Sequence, residues 1–132
     1  MGPSDKQLRI MIDTIPVLAW CCSPDGTTEF SNRRWLEYTG LSQDEALGRG
    51  WQRALHPDDL DNVTEAWRLI LASGEAGGGE FRLRRFDGEY RWFLFRAEPF
   101  RDDHGRLVRW YGTTTDIEEL KRSEKELRDL VD

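Results

Sequence analysis

The spacing of apolar positions changes several times along the chain, and each change predicts a new element. Leu8, Met11, Ile12 and Ile15 recur at helical spacing and stop at Pro16, which predicts a flanking helix within residues 1–14. Residues 17–22 then form an apolar run of strand length. Ser23-Pro24-Asp25-Gly26 places Pro and Gly where a type I turn uses them, and residues 27–31 supply a second strand. Asn32 stands where it can cap a helix carrying Trp35, Leu36 and Tyr38, closed by Gly40. Ser42 and Glu45 have capping-box spacing and open another short helix up to Gly48.

The longest helix is expected over residues 57–73. Pro57 suits its first position, Asp58 and Asp59 favour the positive end of its dipole, and Leu60, Val63, Trp67, Ile70 and Leu71 form its apolar stripe. Ser73-Gly74 ends it, and Gly77 to Gly79 read as a flexible connector. Three strands follow, over residues 80–86, 90–100 and 107–115. They are joined at Asp87-Gly88 and at Asp102-Asp103-His104-Gly105, both hairpin signals. No period repeats. Two strands, several helices and three antiparallel strands predict an α+β fold: one five-stranded antiparallel sheet with helices packed on one face and a flanking helix at each end.

The long strand is apolar on both sides. Phe93, Phe95 and Ala97 share one face, while Tyr90, Trp92 and Leu94 share the other, so a one-sided covering would leave grease exposed. The terminal helices, through Leu8, Met11, Ile12 and Ile15, and a second copy of the chain are expected to shield Trp92 and Leu94. For the Asp87-Gly88 hairpin, a two-residue loop would oppose Leu83 to Trp92. A three-residue loop opposing Leu83 to Phe93 is preferred, since it gathers Phe81, Leu83, Phe93 and Phe95 on one face and pairs Glu80 with Arg96.

From Asp116 the rhythm becomes Ile117, Leu120, Glu124, Leu127 and Val131, the 3-4-3-4 spacing of a two-stranded coiled coil with one polar interruption. Glu118 to Arg122 and Glu124 to Arg128 add favourable i,i+4 pairs. Two heptads are marginal alone, so a single helix folded back on its own sheet is the alternative. The chain divides into a flanking helix (1–14), a core (15–116) and a linker helix (117–132).

Composition narrows the function. At 132 residues and 38% hydrophobic, with 6 Trp and 6 Phe, the chain can bury a real core. A net charge of −6 with 33% charged residues argues against nucleic acid and anionic membrane as partners. No run reaches transmembrane length, and the N-terminus lacks a signal-peptide plan. Cys21 and Cys22 are adjacent on a strand and point to opposite faces. Two free thiols in a reducing, cytoplasmic setting are expected.

Enzyme signatures are missing. Gly74 to Gly79 lack the Lys-Ser/Thr of a phosphate loop, no Ser or Cys stands in a nucleophile elbow, and Asp102-Asp103 fall in a turn. His56, Asp58 and Asp59 are explained by helix-start capping, so no metal is expected there.

Residues 15 to about 125 resemble a PAS domain with its C-terminal motif, of the kind preceding bacterial histidine kinases and diguanylate cyclases. The likeness is carried by Ile15-Pro16-Val17-Leu18-Ala19-Trp20, Pro24-Asp25-Gly26, Asn32 through Gly40, Gly50-Trp51 and His56-Pro57-Asp58-Asp59. It continues through Glu80-Phe81-Arg82-Leu83-Arg84-Arg85, Asp87 through Trp92, and Gly112 leading to Asp116-Ile117. The family's strand-end motif reads Asp-Ile-Thr; Glu118 replaces the Thr here, so the hydroxyl bond at that joint is in question. The glycine-asparagine-cysteine motif of flavin photosensors is absent, and the long helix holds no His for haem, so neither cofactor is expected. An unidentified small ligand is left open.

With alternation, the resemblance implies an inner face formed by Trp20, Cys22, Phe81, Leu83, Phe93, Phe95, Trp110 and Thr114. That face is either filled core or a ligand cavity with Thr114, Cys22 and the Trp20 indole as polar anchors. It implies an output junction at Asp116, Ile117 and Leu120. The function expected is a non-enzymatic signal-input and dimerisation module, covalently joined to an effector, first a histidine kinase and second a diguanylate cyclase. A passive spacer and a small-molecule enzyme are the competing classes.

Overall fold

The computed structural model describes Ile10 and residues 17–131. The predicted flanking helix, with Leu8, Met11, Ile12 and Ile15, lies outside the described residues. Strands β1 (Leu18–Cys22) and β2 (Thr28–Ser31) open the fold, followed by helices α1 (Arg33–Thr39) and α2 (Gln43–Ala46). Two 3-10 turns, Gly50–Ala54 and Pro57–Asp59, lead into α3 (Leu60–Ser73). Strands β3 (Gly77–Arg84), β4 (Tyr90–Arg101) and β5 (Leu107–Asp116) and helix α4 (Glu118–Val131) complete it. The sheet is antiparallel in the order β2-β1-β5-β4-β3, which places the first hairpin beside the last strand.

The local signals act as expected at most ends. Asn32 Oδ1 accepts from Trp35 N at 3.1 Å, and Ser42 and Glu45 form a complete capping box. Gly40 and Gly74 close α1 and α3 at φ 76° and 68°, the left-handed region where a side chain is costly. Pro57 begins a separate 3-10 turn, and α3 starts only at Leu60. Val63 and Ile70 from α3 are buried against Leu83, Phe93, Phe95, Ala97 and Trp110 of the sheet.

Two expectations are corrected. Gly77 to Gly79 are the start of β3, paired with Ala97, Arg96 and Phe95. A Cβ at Gly78 would stand 2.2 Å from the Phe95 carbonyl oxygen, and one at Gly77 2.8 Å from Ile70 Cγ1. Glycine is what lets the strand press this close to β4 and α3. The β3–β4 loop has three residues, as preferred, but is centred on Asp87. Arg85 N donates to the Glu89 carbonyl at 2.7 Å, and Gly88 takes φ 93° after the turn. Phe81 therefore opposes Phe93, and Glu80 opposes Leu94. A two-residue slip keeps every side chain on its predicted face but dissolves the Glu80–Arg96 pair. Arg96 binds Glu98 instead, and Glu80 binds Lys121.

Both free edges of the open sheet are covered. On β2, Gln43 brackets Ser31, accepting from its N–H at 3.1 Å and donating to its carbonyl at 3.1 Å, and Thr28 exchanges backbone bonds with Gly48. On β3, Leu55 forms a bridge with Leu83 and His56 N donates to the Arg82 carbonyl at 3.0 Å. The Asp59 carboxylate accepts from Arg82 N at 2.7 Å and from its guanidinium at 3.0 and 2.7 Å. These contacts occupy part of each edge and blunt it against strand addition.

The Arg82 guanidinium, above all through hydrogen bonds, holds the Asp59 carboxyl below the usual aspartate range. A depressed carboxylate stabilises the fold above its unfolded value of about 3.9, and the contribution fades as pH falls through the folded value. Asp59→Asn should cost about 1–2 kcal/mol at neutral pH. The gap to the parent chain in urea unfolding should close below about pH 4.

Candidate functional site

Between the inner face of the sheet and the helices lies a cavity of about 60 Å³. Its wall is Trp20 and Cys22 from β1, Thr28 and Ser31 from β2, Phe81, Phe95 and Thr114 from the later strands, and Trp35, Trp51, Leu55, Val63 and Trp67 from the helical side. Five of the eight inner-face residues named from the sequence, Trp20, Cys22, Phe81, Phe95 and Thr114, come together here. Leu83, Phe93 and Trp110 are buried in the adjoining core and do not line the cavity. The helical wall was the part missed. Its signal was present, since Trp35 follows the Asn32 cap and Trp67 sits in the α3 stripe.

Trp20 owes its position to Gly112, its partner across β5. A Cβ on Gly112 would fall 2.0 Å from Trp20 Cζ2, so the indole lies directly on the glycine backbone. Its Nε1 donates to Thr114 Oγ1 at 3.0 Å, and its ring meets Trp67 edge-on at 5.8 Å. Two of the three expected polar anchors therefore satisfy each other. The third, Cys22, has its sulfur 3.7 Å from Thr28 Oγ1, and burial pushes its thiol up to about 12. It is an unreactive thiol. Trp35, another wall residue, is 4% exposed, and its fully buried Nε1 has no hydrogen-bond partner.

The output junction is built on the edge of β4 where β5 stops pairing. Asp116 Oδ2 accepts from Arg91 Nε at 2.8 Å, and its Oδ1 caps α4 through Glu118 N at 2.8 Å. Ile117 N donates to the Trp92 carbonyl at 2.8 Å. Glu118 Oε2 accepts from Trp92 N at 2.8 Å, so its carboxylate does the work questioned for the absent hydroxyl. Lys121 Nζ lies 4.9 Å from the Trp92 ring centroid and also pairs with Glu80. Arg82 lies 5.1 Å from the same ring. Among the described residues, Lys121 and Arg82 with their aliphatic stems cover Trp92 at the rear of the sheet. Leu94 is 42% exposed.

Leu120, on the first turn, is 57% exposed, and past Lys121 the helix leaves the sheet, with Leu127, Leu130 and Val131 64%, 82% and 86% exposed.

A family model described as the PAS fold matches residues 28–114, two-thirds of the chain. The chain belongs to this family. It is 40% identical over 128 residues to the peroxide stress-activated histidine kinase mak1 of Schizosaccharomyces pombe, covering 96% of this chain and 8% of that kinase. The chain spans 16% or less of the length of the curated relatives it matches at 40% identity. In fold it is similar to the N-terminal domain of a Marinobacter aquaeolei diguanylate cyclase with a PAS/PAC sensor, at TM-score 0.69 and 20% identity over 80% of this chain and 98% of that one. It is also similar to a light-oxygen-voltage domain studied with a flavin analogue, at TM-score 0.72 and 25% identity over 95% of this chain and 99% of that one.

Four tryptophans, Trp20, Trp35, Trp51 and Trp67, line the cavity, and no His stands in its wall. His56 Nδ1 accepts from Asp58 N at 3.0 Å at the start of a 3-10 turn, and His104 lies exposed in the β4–β5 turn. Among the described residues no cluster of His, Cys, Asp and Glu could hold a metal, and no helix is long and apolar enough to cross a membrane.

Proposed function

We propose that this PAS domain is a non-enzymatic signal-input and dimerisation module of a larger cytoplasmic sensor, with a histidine kinase as the effector. The cavity is the input and α4 the output. The observation that carries this reading is the seating of α4 on β4. Trp92 holds the first turn of the helix from both its N–H and its carbonyl, while the next residue, Phe93, is buried beside the cavity wall. A change in how the inner face packs thus meets the helix root within one residue, and a small shift of β4 would tilt or rotate the helix. The identity with mak1 supports the kinase as effector.

Dimerisation follows from the helix. Leu120, Leu127 and Val131 stand at a/d spacing and are exposed in a single copy. Leu120→Ser with Leu127→Ser should abolish a concentration-dependent dimer in sedimentation velocity. The melting temperature of the dilute chain should stay nearly unchanged, because both side chains are exposed. An undiminished dimer would place the interface elsewhere.

A second reading has one observation in its favour. The small cavity suits a passive spacer whose core is already nearly filled. Native mass spectrometry separates the two, since a spacer retains no molecule in the cavity.

A further inference from the structure

We infer that the cavity takes one small apolar molecule, a hydrocarbon or gas of two or three heavy atoms, and discriminates against ligands that need a hydrogen bond. The inference rests on the reading of the cavity as the input site and gives that site a ligand class.

The character of the wall is the first observation. No Asp, Glu, Lys, Arg or His stands in it, and the surface it turns to the interior is almost wholly apolar. Several wall residues do carry a polar side-chain atom, and the fold accounts for most of these. Trp20 Nε1 donates to Thr114 Oγ1 at 3.0 Å, and Cys22 Sγ lies 3.7 Å from Thr28 Oγ1, so four of them are engaged in pairs. Trp35 Nε1 is fully buried and out of a ligand's reach. A Cβ built on Gly26 would lie 2.9 Å from Trp67 Nε1, which places that donor against the β1–β2 turn. The Ser31 hydroxyl and the Trp51 indole remain, and the small polar share of the wall bounds what the two can offer together.

That bound decides the class. A buried water makes about three hydrogen bonds, and cavities lined by apolar groups stay dry. A charged ligand would give up its hydration and meet no counter-charge here, and an alcohol or amide would lose most of its hydrogen bonds. A hydrocarbon loses none on leaving water. It gains dispersion contact with Phe95, Leu55 and Val63 and with the indoles beside them.

Size is the second observation. The cavity measures about 60 Å³. An apolar cavity of roughly 150 Å³ admits benzene, with its six heavy atoms, so in proportion this one holds about two or three. Leu55 and Val63 are the two aliphatic side chains of the wall. A methylene more or less at Val63, 6% exposed on α3, is a large fraction of so small a space.

The test uses the 132-residue chain with methyl labels on Leu and Val. It is titrated with ethane under pressure and, at the same free concentrations, with methanol, which puts a hydroxyl in place of one methyl of ethane. Ethane should give saturable shifts at the Leu55 and Val63 methyls, and methanol none. In Val63→Ile, ethane affinity read at Leu55 should fall about tenfold; in Val63→Ala, butane affinity should rise about tenfold over the parent chain. The two variants change the volume in opposite directions, so if one fails to fold the other decides. Ethane affinity unchanged in Val63→Ile, or butane affinity unchanged in Val63→Ala, overturns the proposal. Methanol binding as tightly as ethane or more so, or a resident water that ethane does not displace, overturns the apolar class and leaves the cavity as an input site. If neither probe shifts the methyls, the input-site reading falls as well.

Discussion

Asn32→Ala should lower the stability of the domain by about 3–4 kcal/mol, with a fall in melting temperature of about 10 °C. Asn32 is fully buried, and its short side chain answers three backbone groups at once. Oδ1 accepts from Ala19 N at 3.0 Å and from Trp35 N at 3.1 Å, and Nδ2 donates to the Val17 carbonyl at 2.7 Å. One residue thus caps α1, closes the end of the β1–β2 hairpin and fixes the chain entering β1. Alanine leaves two donors and one acceptor stranded in a buried place, each at a cost of about 1–3 kcal/mol before relaxation or entering water reduces it. Asn32→Ser should cost about half as much, since a hydroxyl can still cap Trp35 N but falls short of Val17. Asn32→Asp keeps both accepted bonds yet points an oxygen at the Val17 carbonyl, so it should be nearly as damaging as alanine. Urea unfolding of the three variants gives the order. An alanine variant within 1 kcal/mol of the parent chain would show that water replaces the side chain at little cost.

The capping half of Asn32's role was legible from sequence, because an Asn before an apolar run with helical spacing has a local physical meaning. Its bonds to Val17 and Ala19 were not, since they depend on which loop the folded chain lays beside the cap. The same division runs through the molecule. Strand alternation assigned Trp20, Cys22, Phe81, Phe95 and Thr114 correctly to the inner face, because a strand has two sides and burial chooses one. It could not separate cavity wall from solid core, so Leu83, Phe93 and Trp110 were grouped with the rest. That distinction turns on how far Trp35 and Trp67 reach across from α1 and α3.

Where sequence reasoning failed, a short-range signal had a second meaning. Three consecutive glycines read as a flexible connector, yet they form a strand in which a Cβ at Gly78 would collide with the Phe95 carbonyl and one at Gly77 with Ile70. At the β3–β4 turn, Asp87-Gly88 marked the loop, but the left-handed Gly88 could serve either a two-residue turn or the bulge that follows a longer one. Two cations over Trp92 also went unread: the sequence contains Lys121 and Arg82, but nothing local says that they reach the same indole.

Gly112→Ala tests the inner wall directly and should cost about 2–3 kcal/mol, in the range of overpacking a filled core. The backbone at Gly112 is ordinary strand, so alanine suits it conformationally and the whole penalty comes from Trp20. The added methyl would overlap three ring atoms, Cζ2, Cε2 and Cη2, at 2.0, 2.2 and 2.3 Å. The ring cannot tilt freely, because Thr114 holds its Nε1 and Trp67 meets it edge-on. It must give up the Thr114 bond and move toward the half-exposed side of the domain or into the cavity. A double-mutant cycle separates this from any strand effect. In a Trp20→Ala background, Gly112→Ala should be close to neutral, giving a coupling of about 2 kcal/mol between positions 20 and 112. A methyl that costs the same in both backgrounds would mean that the close approach of Trp20 to Gly112 does not set the wall.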